Sequence, residues 1–152
     1  MKQEMYECSN GLELFHQYMQ KKNLCIDVGA FRGKFSYEYC NIFDNVIAFE
    51  PNPYMTYPLM QLEKDKTNLC YKNIALGKQT DLVDFHIVTW DKPLNPKQFD
   101  DNKWRGISSC SSEYLDNTPF LKEEVREQFR TTIKVLQMPL DHFNLAPNFI
   151  KI

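Results

Sequence analysis

Two carboxylates and two glycines in the first third of the chain have the spacing of a nucleoside-binding turn. Asp27 lies near the end of a short apolar run, Gly29 and Gly33 follow two and six residues later, and Glu50 closes the next apolar run. Glycines allow a tight turn and close backbone approach to a ligand, and the following helix directs free amides towards it. A carboxylate beside such a turn repels phosphate, so we expect a ligand that carries positive charge.

Glu50 and Asp27 together narrow the chemistry of that ligand. A carboxylate at the tip of the second strand suits a bidentate hydrogen bond to two ribose hydroxyls. Asp27 would favour an ammonium or sulfonium group in its neighbourhood. S-adenosylmethionine carries a ribose, an ammonium and a sulfonium and has no phosphate, so these residues predict it as the cofactor.

Each acidic residue also has an ordinary structural interpretation. Asp27 could cap the turn through neighbouring backbone amides, and Glu50 could be a solvated acid at a strand end. A nicotinamide-dependent oxidoreductase is the rival enzyme class, but the G-x-G-x-x-G fingerprint is not met. The glycines stand four apart with Ala30, Phe31 and Arg32 between them, and Asp27 disfavours a pyrophosphate.

The elements around these residues predict that both carboxylates lie at one edge of a parallel sheet. Strands and helices alternate over residues 23–28, 34–43, 46–50, 56–64 and 69–75, with Thr56 as a helix cap. Short apolar strands that alternate with helices favour an α/β, Rossmann-like fold with right-handed crossovers. Ligands of such sheets bind beyond the carboxyl ends of the strands.

The remainder of the chain predicts a β-hairpin inserted into this sheet. Residues 82–88 alternate in character and are expected to pair with residues 132–138, across a long polar loop over 91–112. Helices are predicted over residues 9–22 and from Thr118 onwards, and one more strand over 148–152.

Composition excludes several classes of protein. The chain has 152 residues and a net charge of −2, so we expect a single domain that binds neither nucleic acid nor an anionic membrane. No run approaches the ~20 apolar residues of a membrane span, and the polar N-terminus lacks the apolar core of a signal peptide, so a cytoplasmic location is predicted. No C-x-x-C pair occurs, so no metal site is expected; Cys25 and Cys70 are predicted to be buried, reduced thiols.

Several motifs, in this order, resemble FkbM-type S-adenosylmethionine-dependent methyltransferases: IDVGAFRGKFS, VIAFEPNP, NIALGK, SSCSS, PLDHF and FIKI. The resemblance runs from about Leu24 to the last residue, and the N-terminal helix over 1–22 lies outside it. It implies a class I methyltransferase sheet and O-methylation of a hydroxylated small molecule such as a sugar. It further implies that the cofactor contacts come from Asp27, Gly29, Ala30, Phe31, Gly33, Glu50, Pro51, Asn52, Asn73, Ile74 and Ala75.

One departure from the family pattern concerns the segment after Lys151. Family members usually continue I-K-I with Asp-Val-Glu-Gly and further strands, whereas this sequence ends at Ile152. We therefore expect a chain that lacks its C-terminal strands, with a homodimer or partner chain covering the exposed edge strand. The alternative function is a truncated, non-catalytic module that binds a cofactor or a partner.

No general base can be named from the sequence. Contact with the acceptor is predicted for the loop residues Ser108, Ser109 and Trp104 and for His142, although loop serines are usually solvated. Asp141 could cap a short helix. Structural roles are expected for His16 and His86.

Overall fold

A computed structural model describes residues 21–88, 108–117 and 130–152. The predicted helix over 9–22 falls almost wholly outside these ranges, and the one starting at Thr118 lies outside them, as do His16 and Trp104. The described elements are the strands β1 Leu24–Val28, β2 Asn45–Phe49, β3 Leu69–Lys72, β4 Ala75–Leu76, β5 Asp81–Val88, β6 Ser108–Ser109, β7 Arg130–Met138 and β8 Phe149–Lys151, and the helices α1 Lys34–Tyr39, α2 Thr56–Asp65 and α3 Ser112–Asp116.

Four strands form a sheet in the order β3-β2-β1-β8 with every pair parallel, here called the parallel sheet. Its strands are short and apolar, and Cys25, Ile26 and Ala48 are completely buried. Tyr39 from α1 and Leu59 from α2 belong to the same hydrophobic core as Cys25 and Ala48. The alternation of strand and helix confirms the α/β, Rossmann-like fold predicted from the sequence, and all four strands end on the same edge.

The third predicted strand, over 69–75, is wrong as a single element. β3 ends at Lys72, and β4 pairs in parallel with β7 in a different sheet. The chain leaves the first sheet at Asn73, whose side-chain amide donates to the carbonyl of Glu50 at 2.8 Å. A side-chain hydrogen bond thus takes the place of a backbone hydrogen bond between neighbouring strands. The apolar character of residues 69–75 does not predict this change.

The second sheet has the order β4-β7-β5-β6 and is here called the hairpin sheet. β5 and β7 pair antiparallel from Asp81↔Gln137 to Val88↔Arg130, which confirms the predicted hairpin. Phe85 and Ile87 are buried beneath it.

Two predicted caps are wrong. Asn52, not Thr56, accepts a hydrogen bond from a first-turn amide, that of Tyr54 at 3.1 Å, at the start of a 3-10 turn that leads into α2. Thr56 Oγ1 lies 3.1 Å from the hydroxyl of Tyr71 instead. Asp141 lies within a 3-10 turn whose N-cap, Pro139, makes no side-chain cap bond.

Cys25 is buried as predicted, whereas Cys70 is only half-buried. Burial, followed by the nearby charge of Asp27, raises the pKa of the Cys25 thiol to about 12. Within the described ranges, no helix is long and apolar enough to cross a membrane. The covering of the edge strand by a second chain stays a prediction.

Candidate functional site

The turn between β1 and α1 depends on its two glycines for different reasons. Gly29 and Gly33 have φ of 70° and 78°, a left-handed conformation that is costly for other residues. A Cβ on Gly33 would lie 2.6 Å from Leu62 Cδ2 and 2.8 Å from Leu59 Cδ2, so Gly33 permits close packing on α2. A Cβ on Gly29 would meet nothing within 4 Å, so Gly29 leaves space beside the strand ends.

The backbone amides of this turn are already engaged within the protein. Gly29 and Ala30 donate to the carbonyl of Phe49 at 2.9 and 3.1 Å, and Gly33 donates to Ala30 at 2.8 Å. Phe31 donates to Glu50 Oε2 at 2.8 Å. A phosphate site needs several free amides directed at the anion. The geometry therefore disfavours a phosphate at these four positions.

Glu50 lies at the carboxyl end of β2 and is only 6% exposed. Oε2 accepts from Phe31, and Oε1 accepts from the amide of Asn52 at 2.8 Å. Burial raises the pKa of Glu50, while these two amide bonds act in the opposite direction. The carboxylate is thus not a solvated strand-end acid. Each oxygen retains a second lone pair that can accept from a ligand.

The backbone around Glu50 is fixed by neighbouring strands. Its amide donates to Lys72 at 3.1 Å, and its carbonyl accepts from Asn73 at 2.8 Å and from the Tyr71 hydroxyl at 3.3 Å. Asn73, which the resemblance implied to be a cofactor contact, does not line the cavity, and its side-chain amide is engaged by the Glu50 carbonyl.

Asp27 is completely buried. Its Oδ2 accepts from the hydroxyl of Ser36 at 2.7 Å, and its Oδ1 lies 2.9 Å from Nζ of Lys151. Its described contacts are with these two side chains, so the capping interpretation by neighbouring amides does not describe its environment. Asp27 does not reach the cavity surface, and Lys151 lies beside it on the next strand.

Lys151 is a residue that the sequence reasoning missed. It is the register partner of Asp27 across β1 and β8, and its Nζ also donates to the carbonyls of Val28 at 3.2 Å and Gly29 at 3.1 Å. The available signal was a single lysine in the apolar run FIKI, on a strand expected to lie in the same sheet as the one that ends in Asp27.

A cavity of about 670 Å³ opens at the carboxyl edge of the parallel sheet and extends to the hairpin sheet. This volume lies within the range of about 300–1,000 Å³ typical of small-molecule sites. The predicted cofactor residues that line it are Gly29, Phe31, Glu50, Pro51, Asn52, Ile74 and Ala75. The predicted cofactor residues that do not line it are Asp27, Ala30, Gly33 and Asn73. They belong to the strand end and the glycine turn or, for Asn73, hydrogen-bond to the carbonyl of Glu50.

The segment over 108–117 forms the opposite wall of the same cavity. Ser108 and Ser109 line it as predicted acceptor residues, and Asn52 Nδ2 donates to Ser108 Oγ over a long 3.4 Å. Cys110 and Tyr114 also line it, although neither was predicted; Cys110 lies within the predicted loop over 91–112 and Tyr114 lies just beyond it.

The two histidines in the described ranges do not line the cavity. His142 is exposed and lies beside the ring of Phe143, 5.7 Å between centroids. His86 pairs across the hairpin with Thr132 Oγ1 at 2.9 Å. Partial burial and the charge of Arg130 lower the pKa of His86.

The chain is a Rossmann-like α/β protein with a cavity at the carboxyl ends of its parallel strands. The Methyltransferase FkbM domain family matches residues 27–152. The chain therefore belongs to the FkbM methyltransferase domain family, which confirms the resemblance found in the sequence motifs.

Two further comparisons give little more. The crystal structure of precorrin-6y C5,15-methyltransferase from Geobacter metallireducens GS-15 resembles this chain with 16% identity and a TM-score of 0.35, and the match covers 53% of this chain and 61% of that chain. A likeness at this level carries no argument about function. No curated protein sequence matches the chain.

Proposed function

We propose that this chain binds S-adenosylmethionine in the cavity at the strand ends and takes part in methyl transfer to a hydroxyl group of a small molecule. The observation that carries the proposal is Glu50, a buried carboxylate at the cavity, beside a glycine turn whose amides are engaged. That combination favours a ribose and disfavours a phosphate. Membership of the FkbM methyltransferase domain family supports the same ligand.

The residues present fit an adenosyl ligand. The free lone pairs of Glu50 suit the two ribose hydroxyls. Ile74, Ala75, Leu76 and Phe85 form an apolar part of the lining, which suits a flat base. The open space beside Gly29 admits the ligand close to the backbone.

S-adenosylmethionine, when bound, supplies a methyl group activated by its sulfonium. The tasks that remain for the chain are binding, orientation and exclusion of water, and orientation alone can contribute about 7–11 kcal/mol of barrier lowering. Ser108, Ser109 and Tyr114 face the same cavity, so we assign the hydroxylated acceptor, such as a sugar, to this wall.

Calorimetry with S-adenosylhomocysteine and NAD tests the proposal. We expect the first to bind and NAD not to bind. Glu50→Gln should weaken binding about tenfold to a hundredfold, since a hydrogen bond to a charged group contributes about 1.5–3 kcal/mol.

Glu63→Gln is the matched control for that experiment. Glu63 also accepts a backbone amide, from Tyr71 at 3.0 Å, but it does not line the cavity. Binding should therefore be unchanged. Equal effects of the two substitutions, or binding of NAD alone, would refute the proposal.

A non-catalytic binding module is the second candidate function, and one observation favours it. Among the described residues that line the cavity there is no histidine, and Glu50 has the only acidic side chain. Transfer of a tritiated methyl group to a panel of hydroxylated acceptors separates the two. Cofactor binding without transfer to any acceptor favours the module.

A further inference from the structure

The strand end around Asp27 surrounds the ammonium group of Lys151 with three acceptors, a position here called the ammonium site. A buried carboxylate oxygen and the carbonyls of Val28 and Gly29 converge on one point. Three acceptors, one of them charged, match the three donors of an ammonium group. In this structure the chain itself fills the site with Nζ of Lys151.

Lys151 fills this site imperfectly. Its Nζ lies 2.9 Å from Asp27 Oδ1, yet the approach is not directed as a hydrogen bond. Oδ1 therefore has a charge partner but no hydrogen bond among the described residues. A buried acceptor without a hydrogen bond is unfavourable, so a better-placed ammonium group would be preferred.

Lys151 also lies at the boundary between this site and the cavity. Its side chain is 24% exposed and lines the cavity, whereas Asp27 is completely buried behind it. The side chain can therefore move towards solvent, but Asp27 cannot. If Lys151 left with nothing in its place, Asp27 would remain as an uncompensated buried charge, which is strongly unfavourable.

We infer that Lys151 determines ligand specificity at this site, because its ammonium group occupies the position that the ammonium group of an amino-acid ligand requires. The inference rests on the proposed function, which puts an adenosyl amino acid in this cavity. A ligand that brings its own primary ammonium exchanges with Lys151 and keeps Asp27 compensated. A ligand without one leaves Lys151 in place and gains nothing from the site.

The test compares two nucleosides that differ in the amino-acid part. S-adenosylhomocysteine carries the α-ammonium group, and 5′-methylthioadenosine lacks it. In Lys151→Met the competitor is gone, so calorimetry should show S-adenosylhomocysteine binding about tenfold or more tightly. The affinity for 5′-methylthioadenosine should not change. Lys134→Met removes an exposed lysine that pairs with Asp84 and should alter neither affinity.

A measurement on the unmodified chain covers the case in which Lys151→Met does not fold. Reductive methylation with formaldehyde, followed by peptide mass spectrometry, reports the accessibility of the Lys151 amine. S-adenosylhomocysteine should increase its labelling, and 5′-methylthioadenosine should not.

Three outcomes would overturn the inference while the proposed function stands. They are weaker binding of S-adenosylhomocysteine by Lys151→Met, an equal change for both nucleosides, and protection of the Lys151 amine by S-adenosylhomocysteine. If neither nucleoside binds the unmodified chain, the proposed function fails and this inference fails with it.

Discussion

Among the described residues, two aspartate–lysine pairs join neighbouring strands, and one is buried at its aspartate whereas the other is exposed. Asp27 and Lys151 are register partners in the parallel sheet, 2.9 Å apart; Asp84 and Lys134 are register partners in the hairpin sheet, 3.0 Å apart. The Asp27 side chain is 0% exposed, whereas Asp84 and Lys134 are 55% and 61% exposed. Nearly equal distances therefore do not imply equal roles.

The difference shows what burial does to a pair of charges. An exposed pair contributes about 0–1 kcal/mol, because water and salt already screen both charges. A buried pair is a poor source of net stability, but removal of one partner is strongly destabilising. A ligand that displaces Lys151 must therefore supply a positive charge to Asp27. The exposed pair in the hairpin sheet imposes no such requirement.

The largest effect should come from breaking the buried pair. Lys151→Met leaves Asp27 uncompensated, so we expect the free energy of unfolding to fall by about 3 kcal/mol. Lys134→Met should cost about 0.5 kcal/mol or less. Urea denaturation of the two variants measures both, and losses of similar size would contradict the comparison.

A smaller effect should follow from removal of the second partner of Asp27. Ser36 is completely buried and donates to Oδ2 at 2.7 Å. Ser36→Ala should lower the free energy of unfolding by about 2 kcal/mol, the size expected for a hydrogen bond to a charged group. Ser109→Ala, at a more exposed serine that accepts the amide of Ser111, is the control and should have a much smaller effect in the same urea titration.

A third carboxylate, Glu50, is also buried, and the pH dependence of stability tests what its burial does. Burial raises its pKa above the ordinary value of 4.5, so the folded state holds the proton more tightly than the unfolded state. The resulting stabilisation is complete below pH 4.5 and is lost as the pH rises through the raised folded pKa.

Urea denaturation across this pH range, for the parent chain and Glu50→Gln, measures that contribution. The free energy of unfolding of the parent chain, relative to that of Glu50→Gln, should decrease as the pH rises. A difference that stays constant, or shifts the other way, would contradict the assignment of burial as the dominant influence on Glu50.

The smallest effect concerns salt. At 1 M ionic strength the screening length falls to about 3 Å, so the small stability loss in Lys134→Met should disappear. The loss in Lys151→Met should persist, because its partner is inaccessible to ions. A loss that vanishes in both variants would show that the two pairs are equally screened.

Local patterns predicted most of this fold. The apolar runs that end in Asp27 and Glu50, the glycine turn and the β5–β7 hairpin follow from period, turn chemistry and strand length. Thr56 was wrongly chosen as a cap because Asn52, a stronger candidate, lies at the start of a 3-10 turn that propensity does not reveal.

What local patterns could not predict are contacts between distant parts of the chain. Lys151 reaches Asp27 only because β8 pairs with β1, and that register is a property of the whole sheet. The break at Asn73 depends likewise on the carbonyl of Glu50 in the neighbouring strand. Tyr114 lines the cavity and lies on α3, which follows strand β6 of the hairpin sheet. Its position depends on how that sheet packs, which the spacing of residues in the sequence does not show.

The most direct test of the account is a crystal structure of the chain with S-adenosylhomocysteine. We expect both ribose hydroxyls within hydrogen-bond distance of the Glu50 carboxylate, with the turn amides still engaged within the protein. A nucleoside bound elsewhere, or a ribose that makes no contact with Glu50, would contradict it.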